Sequence, residues 1–200
     1  MHENPEGVGN MKKKILVLAV IAICLAGFAT GTLAYFTYDD QVHNVITTDA
    51  VKIEVKEWQK TEEGLVEYPH APIPVMPGTT VSKIPEIHNL GAESWIRARI
   101  DVEIRDAENN VMPHTAEELA NIITIAVDAE KWTEKDGWWY CDQPVKDKTA
   151  PLFEQVVFNG PNMTNGYQNC TVTVTVSALA VQTANNGRTV LEAKGWGDNT

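Results

Sequence analysis

The chain is poor in cysteine, in basic residues and in the spaced motifs that carry catalysis. Three cysteines in 200 residues are too few for a small disulfide-stapled scaffold, which relies on several bridges to make up for a thin core. Lys and Arg number 16 against 27 Asp and Glu, a net charge of −11. Phosphate backbones are bound by clustered cations, so this balance weighs against nucleic acid as a partner. There is no His-Glu-x-x-His and no Gly-x-Ser-x-Gly, and beyond residue 34 serine occurs only at 82, 94 and 177, none with a histidine in its sequence context. His114 with Glu117 and Glu118 is the nearest approach to a metal-ligand group, while His43, His70 and His88 are scattered. Zinc chemistry needs three converging protein ligands and a base. The two glutamates have a simpler use at the positive end of a helix. No catalytic residue, metal ligand or cofactor is therefore assigned, and the chain reads as a non-enzyme.

Long hydrophobic runs are also absent, with one exception. Lys12, Lys13 and Lys14 precede an apolar stretch from Ile15 to Phe28, and the small residues Thr32 and Ala34 then occupy the minus-three and minus-one positions of a signal-peptidase site. The expected cut lies between Ala34 and Tyr35. An uncleaved anchor is the competing reading, because Ile15 to Phe36 is long enough to span a bilayer. Cys24 follows Ile23 in mid-run, the wrong place for a lipid-modified cysteine. Residues 1–10 lack the lysines of a signal start, so export is expected to begin at Met11 and the first ten residues to be a mis-called start. The division that follows is 1–34 signal peptide, 35–48 N-terminal arm, and 49–200 one domain large enough for a real core. Residues 195–200 carry no sorting signal, so sortase attachment to a wall is not expected.

What the rest of the chain has in quantity is alternation. Val51, Ile53 and Val55 alternate with Lys52, Glu54 and Lys56, and Ile96, Ala98, Ile100, Val102 and Ile104 alternate with Arg97, Arg99, Asp101, Glu103 and Arg105. That is the period of half-buried strands. A last long strand from about Tyr167 to Val181 sets Cys170, Val172, Val174 and Val176 against Thr171, Thr173 and Thr175. Pro69, Pro72, Pro74 and Pro77 make 68–77 a loop, and Pro85 demotes 81–88 to an edge or bulged strand. Thr115 and Glu118 form a capping box for one short helix, Asp136-Gly137 marks a hairpin, and Val190 to Trp196 closes the chain. The expected fold class is all-β: an antiparallel two-sheet sandwich of jelly-roll type with one short helix, preceded by the signal helix.

Three features remain open on sequence alone. Cys141 and Cys170 can form a disulfide outside the cytoplasm or stay as two buried thiols, because spacing does not fix their separation. Trp138-Trp139-Tyr140 can be a sugar-stacking platform or the edge of the core. The Asn-x-Thr sequons at Asn162 and Asn169 read as coincidental in a bacterial protein.

The segment GTLAYFTYDD, followed by VHNVITTDAVKIEVKE (Val42 to Glu57) and VMPGTTVSKIPEIHNLGAESWIRARIDVEI (Val75 to Ile104), resembles the TasA/camelysin family of exported Gram-positive proteins. The order of Pro77-Gly78, the 81–88 strand, Asn89-Leu90-Gly91 and the 95–104 strand carries the likeness over the first half of the mature chain. The resemblance implies export through a dedicated signal peptidase of the endoplasmic-reticulum type, membrane contact only as a precursor, and a secreted cell-surface or biofilm-matrix subunit. It further implies self-assembly, with itself or with related matrix proteins, by donation of the arm freed at Tyr35. Phe36, Val42, Val45 and Ile46 are then the anchoring residues of the donor. The alternatives are a camelysin-like metalloprotease and a monomeric envelope module that binds glycans through Trp138 and Trp139.

Overall fold

The computed structural model describes residues 36–43 and Pro74 by their backbone, and 51–69 and the rest of 73–197 in full. The expected signal segment, its cleavage residues Ala34 and Tyr35, and the anchors Val45 and Ile46 lie outside the described residues. Half-buried strands dominate, and the fold is an all-β sandwich with one α-helix among the described residues.

One layer is a six-stranded sheet. Its two long central strands are those with the strongest alternation: β7 (Ser94–Arg105) and β12 (Thr171–Gln182) pair antiparallel over their whole length, from Thr171 opposite Arg105 to Gln182 opposite Ser94. Beyond β7 lie β10 (Trp138–Cys141) and β9 (Trp132–Lys135), joined by the expected hairpin. Asp136 and Gly137 both take positive φ there, 53° and 77°, as a two-residue turn that follows strand twist requires. Beyond β12 lie β1 (Phe36–His43) and β4 (Ile73–Val75).

The other layer consists of two three-stranded sheets that continue into one another. One has the order β3 (Gly64–Glu67), β2 (Ile53–Thr61), β6 (Ile84–Asn89). The other has β5 (Thr80–Ser82), β11 (Phe153–Phe158), β8 (Ile123–Val127). Backbone bonds Lys83 N to Glu154 O, Leu152 N to Pro85 O and Thr149 N to Ile87 O join them. Here the structure corrects the sequence reading of 81–88. Strand β6 is interior, with β2 on one side and residues 147–152 on the other. Pro85 is tolerated because its carbonyl still accepts a bond and the strand is already broken at Lys83.

Two further expectations change. The six-stranded sheet is not wholly antiparallel, since β1 runs parallel to β12. The proline-rich loop contains the three-residue strand β4, which pairs antiparallel with the start of β1. The closing segment carries a 3-10 turn at Val190–Glu192.

Between the layers the core is built from the residues at alternate positions of these strands. Val172, Val174, Val176, Ile87, Ile96, Val156 and Phe158 are fully inaccessible. Helix α1 (Ala116–Ile122) starts at the capping box as expected: Glu118 N donates to Thr115 Oγ1 at 3.2 Å and Thr115 N to Glu118 Oε2 at 2.7 Å. The Pro77-Gly78 turn fits against Gly160, where an added Cβ would come within 2.9 Å of the Gly78 nitrogen.

Candidate functional site

The residues singled out by the assembly expectation converge on one edge of β12. Register pairs run from Thr37 with Thr171 to His43 with Ser177, so β1 covers the first seven positions of β12. The inward side chains of that stretch, Val172, Val174 and Val176, belong to the main core. On its far side β1 meets β4 only from Phe36 to Tyr38. From Asp39 onward its outer edge has no strand neighbour among the described residues. Phe36 and Val42 both lie within β1, at positions paired with Val75 and Val176. The sequence read 35–48 as an extended arm, free to be donated or folded back on its own domain, and 36–43 takes a place in the protein's own sheet.

At the other end of the six-stranded sheet, the outer face carries the Trp-Trp-Tyr run. The Arg97 guanidinium carbon lies 4.2 Å from the Trp138 ring centre and 4.9 Å from that of Trp196. Arg97 also donates to Tyr140 Oη at 3.1 Å. Arg99 stands 5.3 Å from Trp138, and Trp196 meets Tyr140 edge-on at 5.7 Å. Cation–π contact thus engages the Trp138 ring within the protein. Trp139, one residue along and on the opposite face, packs against the main core. The run is divided between two faces, which does not make a continuous stacking platform.

Cys141 and Cys170 are free, buried thiols, so of the two readings the possible Cys141–Cys170 disulfide is the one the structure rejects. Cys141 sits beside the start of β7 and Cys170 beside its end. The strand between, Ile96 to Arg105, spans roughly 30 Å at about 3.4 Å per residue, whereas a bridge needs Cα atoms within about 7 Å. Burial pushes the Cys141 thiol up. Burial also pushes the Cys170 thiol up, helped by the charges of Asp106 and Glu108.

Near Cys170 the histidine of the capping box has found other work. His114 Nδ1 lies 2.7 Å from the Met112 carbonyl and Nε2 lies 3.1 Å from Tyr167 Oη, with the two rings stacked at 5.8 Å. Bonds from the Thr115 backbone and hydroxyl hold the Glu118 carboxyl below its usual range. His88 lies 3.4 Å from Glu86, a carboxylate that also accepts from Lys148 and Trp58. Among the described residues no three His, Cys, Asp or Glu side chains converge on one point. No helix among them is long and apolar enough to cross a membrane.

Burial also reveals polar residues that alternation had assigned to solvent or left unremarked. Lys83 and Glu57 form an ion pair of 2.5 Å inside the second layer, with side chains 0% and 3% exposed. No family model matches this chain, and no curated protein or solved structure matches it either.

Proposed function

We propose that this protein is an exported, non-enzymatic structural subunit of the TasA type, at the surface or in the extracellular matrix of a Gram-positive bacterium, and that it polymerises by donating its N-terminal strand. The observation that carries the reading is the place of β1. It begins at Phe36, one residue beyond the expected cut, so the cleavage that releases the chain would also leave this strand with a free end.

A terminal strand of this kind is exchangeable. Withdrawing β1 uncovers the β12 edge over Thr171 to Ser177, a row of backbone donors and acceptors that another strand can satisfy. A second copy's β1 makes the same bonds as the chain's own, so exchange costs little in contacts. Donation from one copy to the next need not close, and filaments result. Asp39 and Asp40 fall where β1 loses the cover of β4, and charges on an open edge restrain uncontrolled pairing. The net charge of −11 further opposes association, so salt or acid pH should promote polymer.

The test compares protein starting at Tyr35 with a version lacking residues 35–48, by electron microscopy and sedimentation. Filaments from the first alone support donation, as does arrest of their growth by a free 35–48 peptide. Equal filaments from both proteins would end the proposal.

A further inference from the structure

Counting thioethers as ligands changes the picture around Cys170. Its sulfur lies 3.5 Å from Met112 Sδ, and His114, two residues from Met112, is tied to the same corner through Tyr167, whose carbonyl accepts from the Cys170 backbone N–H. Thiolate, thioether and imidazole are together the donor set of soft transition-metal ions. We propose that Cys170, Met112 and His114 bind one soft monovalent metal ion of the copper(I) type.

The geometry suits a three-coordinate centre. Two metal–sulfur bonds of about 2.3 Å that span 3.5 Å enclose an angle of roughly 100°. That is far from the linear arrangement of a two-coordinate ion and leaves room for a third ligand. The imidazole supplies it by exchanging its Tyr167 hydroxyl bond for the metal. Met112 and His114 line a groove of about 570 Å³ on the outer face of the six-stranded sheet, open to an incoming ion, while Cys170 itself is buried. Asp106 and Glu108 stand close enough for their charges to act on the thiol, and the same charges favour a cation. On binding, the ion replaces the thiol proton, which leaves to solvent. A hard ion such as calcium has no oxygen cage here, and the one imidazole with two sulfurs favours copper(I) over it.

Anaerobic competition with the chromophoric chelator bicinchoninate tests the site. The purified protein should withhold one equivalent of copper(I). Cys170→Ala and Met112→Leu should each weaken retention about tenfold or more, His114→Gln should also weaken it, and Cys141→Ala should leave it unchanged. X-ray absorption of the copper-loaded protein should show two sulfur neighbours and one nitrogen. Met112→Leu keeps side-chain volume, so it remains informative where Cys170→Ala fails to fold. Loss of all copper to the chelator, or wild-type retention by Met112→Leu, overturns the proposal.

Discussion

The two faces of the six-stranded sheet reach burial by different means. The inner face is aliphatic along its centre: Val172, Val174, Val176, Ile96, Ala98 and Ile104 all belong to the main apolar core. Their stabilisation scales with area removed from water and needs no particular orientation. The outer face is covered at one end by the chain that returns after β12, which lays Val190, Ala193 and Trp196 over Trp95, Tyr140 and Arg97. There a buried guanidinium is held by ring faces and a phenol oxygen, an arrangement that depends on orientation. At the other end Arg99, Asp101, Glu103 and Arg105 stay in solvent as exposed pairs. A sheet can therefore hold a core on one side and a smaller, polar-centred cluster on part of the other.

Three substitutions test that contrast. Val174→Ala removes two methyl groups from a site with no accessible surface and should cost about 2 kcal/mol, read as a lower denaturant midpoint. Trp196→Ala takes away one ring from Arg97 and the edge contact to Tyr140. It should cost about 1 to 2 kcal/mol and quench part of the tryptophan emission. A larger loss there than at Val174 would make the outer cluster the principal core and reverse the comparison. Arg99→Ala breaks an ion pair whose side chains are 49% and 52% exposed. It should change stability by no more than about 0.5 kcal/mol, less still at high salt, and a larger effect would mean that the Trp138 contact extends the cluster along the sheet.

The inner face was legible in the sequence and most of the outer cluster was not. Alternation in 96–104 and 170–181 gave β7 and β12, because a strand exposes every second residue to the same side. The capping box and Asp136-Gly137 were legible for a similar reason, since each satisfies its backbone within a few residues. Arg97 occupies a position that alternation gives to water, and its burial comes from Trp196, which is remote in sequence. Lys83 and Glu57 are buried for the same kind of reason. Pro85 suggested an edge, yet its strand has β2 on one side and the 147–152 segment on the other. For the candidate assembly site, the sequence marked Phe36 and Val42 as anchors but left their strand as a free arm. Parallel pairing to β12 joins residues more than a hundred apart, and no local signal reports it.

What the amino-acid order determined by itself was the set of elements whose partners are local or periodic: the alternating strands, the capped helix, the tight hairpin and the apolar N-terminal run. What only the tertiary structure decided was which strand lies beside which, whether two cysteines meet, and which charged side chains are withdrawn from water. Those outcomes depend on contacts between distant segments, where the free energy of closing long loops is repaid only when the whole sandwich forms at once.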